Sequence, residues 1–285
     1  MNAIEIKNLN KSYRDFQLKN VSFNVPKGSI VGFIGENGAG KTTTLKSILN
    51  LISRDSGTIE LMGMDNSKED KKIKEDIGVV LDGCNFHDSL KTGDISKMME
   101  SIYKNWNTSV YQQYLKNFKL PEDKTIKEFS RGMKMKLQIA VALSHNPKVL
   151  ILDEATSGLD PIVREEILDV FMEFIQNEEH AILISSHITS DLDKIADYIV
   201  FIHQGEILLD AEKETLLSGM GVLKCSEDDF RKLEQEEYIR YRKNHFGYEV
   251  MLKDKHAVKK KYPEAVVDAI SIEEIMLFYV RGEKS

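Results

Sequence analysis

Gly35-Glu-Asn-Gly-Ala-Gly-Lys41-Thr42 has the spacing G-x-x-x-x-G-K-[S/T]. Glycines at these places let the backbone curl so that successive N–H groups point inward, where they can hold phosphate oxygens. The N-terminus of a following helix adds positive potential. Lys41 supplies a point charge for β- and γ-phosphates, and the Thr42 hydroxyl can ligate Mg²⁺. The expected phosphate-binding set is Gly35, Asn37, Gly38, Ala39, Gly40, Lys41, Thr42 and Thr43. A chance Gly-rich turn would match this pattern in about one chain in a hundred of this length. Here the flanks also agree: the apolar run SIVGFI precedes the loop and a helical pattern follows it.

A second group of residues could work with the first. Val149-Leu150-Ile151-Leu152 is an apolar run that ends in Asp153 and Glu154. Asp153, at the carboxyl end of a buried strand, is placed for a Mg²⁺ shell. Glu154 can orient or deprotonate an attacking water. Strand ends often carry acids merely as caps; the phosphate loop upstream is what favours chemistry here.

These residues need a scaffold. Ile77–Leu81, Val149–Leu152 and Ala181–Ile184 are short continuous apolar runs, which suit parallel strands buried on both faces. Between the last two, Asp160 and Pro161 open a helix, and Val163, Ile167, Phe171 and Phe174 recur at helical spacing. Strand, helix and strand in this order define an α/β class. Near-alternating apolar residues before position 28 (Ile4, Ile6, Leu9, then Val21, Phe23, Val25) predict an antiparallel β start. Residues 41–52 predict a helix after the loop, and 83–145 predict a helical subdomain inserted into the α/β core. From residue 219 to 285 we expect a small α+β appendage, closed by a helix with the capping box Ser271/Glu274.

In fixed order, the motifs resemble those of the ATP-binding subunits of ABC transporters, over about residues 1–215. Tyr13 resembles the aromatic that stacks on adenine. Gly35–Thr43 resembles Walker A, and Asp153 with Glu154 resembles Walker B and its catalytic glutamate. Phe129-Ser130-Arg131-Gly132-Met133 sits where the signature L-S-G-G-Q would be, Ser157–Asp160 resembles the D-loop, and His187 the switch histidine. The resemblance implies a P-loop NTPase ABC cassette, RecA-like with antiparallel β and helical subdomains, occupying 1–218. It implies ATP and Mg²⁺ as ligands, with Glu154 and His187 catalytic and Thr42, Asp153 and Asp82 at the metal. It also implies a head-to-tail dimer with two sandwiched nucleotides, in which Ser130, Gly132 and Asp160 act across the interface. The remaining partner would be a transmembrane permease, contacted near Met98, Met99, Ile102, Tyr103 and Trp106. The overall look is that of small bacterial two-component exporters, with amphipathic peptides, antimicrobials or lipid-like molecules as cargo.

Two departures stand out. Asp82 replaces the usual Gln after the strand Ile77–Leu81, and Arg131 replaces the first signature Gly. A carboxylate at position 82 can ligate Mg²⁺ but repels the γ-phosphate when no metal is bound, so stricter Mg²⁺ dependence is expected. For Arg131, a cation near the γ-phosphate and a solvent-facing side chain remain open.

Composition narrows the alternatives. The 285 residues carry 39 Lys+Arg against 46 Asp+Glu, a net charge of −7, which disfavours a nucleic-acid partner. Residues 222–285 hold 13 basic and 13 acidic residues, so the negative charge belongs to the rest. No run approaches the roughly 20 apolar residues of a spanning helix, and the N-terminus has no apolar signal core. With two cysteines, Cys84 and Cys225, there is no disulfide framework. The expected location is the cytoplasm, peripheral at the inner face of the cell membrane through the permease alone. The competing reading is a soluble ABC ATPase acting on a non-membrane partner such as the ribosome. A GTPase is disfavoured because no N-K-x-D motif is present.

Overall fold

A computed structural model describes residues 1–284. Its centre is a six-stranded sheet formed by β3 (Ser29–Ile34), β6 (Ile77–Val80), β7 (Val149–Asp153), β8 (Ala181–Ser186), β9 (Tyr198–His203) and β10 (Glu206–Glu212). The order is β10-β9-β3-β8-β7-β6, parallel except for β10 at the edge. The continuous apolar runs are explained by their two-sided burial. Along β3, Ile30 and Ile34 face one core while Val31 and Phe33 face the other; along β8, Ile182 and Ile184 part from Ala181 and Leu183 in the same way.

One of those cores lies under a four-stranded antiparallel sheet made by β1 (Asn2–Ser12), β2 (Gln17–Pro26), β4 (Ser56–Leu61) and β5 (Met64–Asp65), with α1 (Lys41–Ile48) packed in the same cluster. The strands' alternation is as expected: Ile4, Ile6, Leu9, Val21, Phe23 and Val25 are all buried. The helix after the loop is shorter than the expected 41–52. It stops at Ile48 because Asn50 takes a left-handed conformation (φ 52°), which turns the chain out and leaves Leu51 exposed.

The other core is covered by α5 (Arg131–Leu143), α6 (Pro161–Phe174) and α7 (Thr189–Ile195). The short α2 (Asp70–Glu75) precedes β6. The inserted lobe contains α3 (Thr92–Ile102), α4 (Thr108–Asn117), a 3₁₀ turn at Ile126–Glu128 and α5. Among the described residues its one strand-like feature is an isolated bridge between Lys91 and Thr125. Gly78 lets α5 lie directly on β6; a Cβ there would stand 2.6 Å from the Ala142 carbonyl oxygen.

After α8 (Lys213–Gly219) comes a third, antiparallel sheet, ordered β14 (Val267–Ala269), β11 (Gly221–Cys225), β13 (Gly247–Leu252), β12 (Tyr238–Asn244) and β15 (Glu283–Lys284). It carries α9 (Glu227–Phe230), α10 (Lys255–Lys261) and α11 (Ile272–Arg281). Ser271 and Glu274 form the capping box of α11, with the Ser271 N–H donating to Glu274 at 2.9 Å. Leu223, Tyr238, Val250 and Leu252 make a small core of their own. Val222 and Met251 on the opposite face join Ile272, Ile275 and Phe278 of α11 in the large core that also holds Leu192 and Phe201. Both cysteines are free, and burial pushes the Cys225 thiol up to about 11.

Candidate nucleotide-binding and hydrolytic site

Three neighbouring strands deliver the chemistry to one place. β3 runs into the glycine loop and α1, β7 ends at Asp153 and Glu154, and β8 ends just before His187. Because the strands are parallel and adjacent, their carboxyl ends open into a single crevice, the usual ligand position of an open α/β sheet. The cleft measures about 650 Å³ and is lined by the loop with Asp153, Glu154 and His187.

The loop fits a chain of phosphates. Gly38 and Gly40 have φ of +82° and +118°, which turn their amides inward. Gly40 also packs so tightly that a Cβ would stand 2.6 Å from Leu18 and 2.9 Å from Phe16. Lys41 is buried, and its amine donates to the carbonyls of Gly35 at 2.7 Å and Glu36 at 3.3 Å. It also lies 3.6 Å from Glu154.

Asp153 is held from both sides. The Ser185 hydroxyl donates to it at 2.5 Å and the Thr42 hydroxyl at 3.0 Å. The Thr42 oxygen and the Asp153 carboxylate thus sit side by side at the loop. Mg²⁺ keeps several waters and substrate oxygens and needs one or two protein oxygens, a requirement that the chemistry of this pair fits. Among the described residues no group of three or more His, Cys, Asp or Glu could hold a metal.

Glu154 has a left-handed backbone, φ 54°, a conformation costly for a residue with a side chain. Its N–H is fixed by the Ser185 carbonyl at 3.1 Å, and its carboxylate bridges the Lys41 amine to His187 Nδ1, 2.5 Å away. The strained turn aims the carboxylate back across the cleft mouth.

The structure distributes the other expected residues differently. Asp82 reaches the cleft wall, where its carboxylate lies 3.9 Å from the Arg131 guanidinium. Arg131 also lines the cleft and stacks against Gly158. We expect Asp82→Gln to lower the Mg²⁺ concentration for half-maximal turnover by about threefold, since only a carboxylate repels metal-free nucleotide. A Mg²⁺ titration of turnover checks this; an unchanged midpoint would refute it.

Tyr13 lies half exposed outside the cleft wall, its N–H closing a turn onto the Phe16 carbonyl at 2.7 Å. The aromatic in the wall is Phe16, next to Asp15. Ser130 caps α5 by accepting from Met133 N–H at 3.2 Å, and Gly132 packs against Val163. Asp160 caps α6, accepting from Ile162 and Val163. None of these three lines the chain's own cleft.

A phosphate loop on a parallel sheet, with a hydroxyl–carboxylate pair and a strained glutamate at the strand ends, defines a P-loop nucleoside triphosphatase. The family described as ABC transporter matches residues 18–157. A lantibiotic transport ATP-binding protein of Streptococcus pyogenes, SrtF, is 38% identical over 212 residues, 73% of this chain and 90% of that protein. The bacitracin transport ATP-binding protein BcrA of Bacillus licheniformis is 37% identical over 190 residues, 66% of this chain and 62% of that one. The solved structure of an ATP-binding subunit of an ABC transporter superposes with a TM-score of 0.69 at 26% identity, covering 75% and 91% of the two chains. A dimeric ATP-binding cassette bound to ADP and phosphate shares the fold, with a TM-score of 0.66 at 22% identity over 73% of this chain and 98% of that one. The chain belongs to the ABC transporter family, as an ATP-hydrolysing cassette.

Proposed function

We propose that two copies of this chain close head-to-tail over two ATP molecules and so drive a separate membrane permease that exports an amphipathic peptide antimicrobial. The observation that carries this is that the signature residues Ser130 and Gly132 take no part in the chain's own cleft. They flank Arg131 at the start of α5, and of these three residues Arg131 alone lines that cleft. A helix N-terminus of this kind is a ready phosphate site, and a second copy can supply the phosphate. The cargo class follows the lantibiotic and bacitracin relatives.

Within the closed site, the γ-phosphate would take the Lys41 amine from the carbonyls it now holds. Glu154 would then accept a proton from the attacking water, and His187 would hold its ring toward the phosphate. Thr42 and Asp153, with Asp82 near, would hold a Mg²⁺ ion, which would supply neutralisation of phosphate charge.

No helix among the described residues is long and apolar enough to cross a membrane; in this reading a permease subunit provides the path. An apolar groove of about 470 Å³ between the sheet edge and the helical lobe suits a helix of that permease. Ile102 and Tyr103 line it together with Leu51, Val79 and Leu81. Trp106 and Met99 instead pack into the lobe. Affinity purification from detergent-extracted membranes tests the proposal. A membrane subunit that changes ATP turnover, and that is released by Leu81→Asp, is the expected result; recovery of ribosomes alone would overturn it.

A further inference from the structure

We infer that Arg164 and Asp191 are positioning residues that tie the D-loop to the switch histidine inside one chain. The inference rests on reading Glu154 and His187 as the hydrolytic pair.

The two elements involved begin at the site and run away from it side by side. α6 starts at its cap Asp160, at the end of the D-loop, and α7 starts two residues after His187. Arg164 stands one turn into α6. Its Nη2 donates to the Leu159 carbonyl of the D-loop at 3.3 Å, and its Nη1 lies 3.7 Å from Asp191 Oδ1 on the first turn of α7. Neither side chain lines the cleft.

The burial makes this link obligatory. The Asp191 side chain is 2% exposed. A buried carboxylate without a cation is costly, and removing one partner of such a pair is strongly destabilising. Among the described residues Arg164 is the cation in ion-pair range of Asp191. The start of α7, and with it the His187 loop, is therefore anchored to the helix that continues the D-loop.

The link is also incompletely made. Arg164 Nε and Asp191 Oδ2 are both buried with no hydrogen-bond partner among the described residues. Guanidinium and carboxylate are shaped for two parallel bonds, and here they make one long contact. The spare donor and spare acceptor leave the pair a second, tighter arrangement, in which the carboxylate takes the Nε–Nη2 edge of the guanidinium and competes with the Leu159 carbonyl for Nη2. In that arrangement His187, now bonded to Glu154, moves with α7, while the guanidinium loosens its hold on the D-loop carbonyl. The state of the D-loop is thereby passed to the residue beside the catalytic carboxylate. The neighbouring ion pair between Lys194 of α7 and Glu165 of α6 joins the same helices at the surface, where both side chains are half exposed. It supplies the control, because an exposed pair contributes little.

The experiment measures steady-state ATP turnover by the full-length chain carrying Asp191→Asn, Arg164→Gln, both together, or Glu165→Ala. Each of the first two should lower kcat about tenfold with the KM for ATP within about twofold, the size expected for loss of one coupling contact. The double variant should be no slower than the slower single, and Glu165→Ala should match the unsubstituted chain. In a His187→Ala background, Asp191→Asn should cause no further loss. An equal loss with and without His187, a rise in KM alone, or an equal loss from Glu165→Ala would overturn the inference. Should Asp191→Asn fail to fold, Arg164→Lys retains the charge without the fork and carries the same comparison. Amide hydrogen exchange over residues 186–192 gives a readout independent of turnover: it should accelerate in Arg164→Gln and not in Glu165→Ala, and unchanged exchange would count against the link. Failure of the underlying reading shows elsewhere, as turnover that survives Glu154→Gln.

Discussion

Glu154→Gln should bind ATP and fail to turn it over, with a loss of at least about 10²-fold in kcat, the range for removal of a general base. The geometry explains why binding survives. The amide keeps the shape of the carboxylate, and the strained φ of 54° constrains both side chains alike. Lys41 retains its two carbonyl partners in the loop, so the phosphate site is not dismantled. What disappears is the proton acceptor facing the water, together with the negative charge that opposes an incoming γ-phosphate. The substituted chain should therefore accumulate as an ATP-bound dimer. Phosphate release measures the first effect and gel filtration with ATP the second. Loss of ATP binding along with turnover would mean that Glu154 builds the site and does no chemistry in it.

The second large effect is expected at Lys41. Its amine is buried at the end of β3, 2.7 Å from the Gly35 carbonyl and 3.6 Å from Glu154. Charge-assisted hydrogen bonds contribute about 1.5–3 kcal/mol each. Losing even one of these to the phosphates should weaken binding at least tenfold, and Lys41→Ala also leaves Glu154 without its cation. Affinity for a non-hydrolysable ATP analogue should fall by about 10²-fold in calorimetry. Lys41→Arg should not restore it, because the planar fork replaces a compact charge in a loop shaped around an ammonium. Binding within threefold of the unsubstituted chain would remove Lys41 from the phosphate site.

The contrast between these two residues and the rest of the site shows where sequence reasoning reaches. The loop, Asp153 and Glu154 were legible because the loop starts directly after one buried parallel strand and the two acids stand at the end of another, and the strands fix their positions. The central sheet was legible for the same reason, since two-sided burial leaves continuous apolar runs. The Arg131–Asp82 contact was not. It depends on how the helical lobe leans on the core, and no local spacing encodes that angle. The cleft position of Phe16 was not legible either: it shares one tight turn with Tyr13, and spacing alone does not say which ring of such a turn lines the wall. The end of α1 escaped as well: Leu49 and Ile52 keep the helical period, and a single Asn in a left-handed conformation overrides it.

The sheet that follows residue 219 has one face in a core of its own and the other in the core of the cassette. The tail is therefore not a detachable module. Val222, Met251 and Phe278 meet Leu192 and Phe201 in one apolar interior, so a tail exchanged from a relative would have to match that surface residue by residue. A substitution on the inner face of the tail should therefore be felt at α7, and one at Leu192 should be felt in the tail.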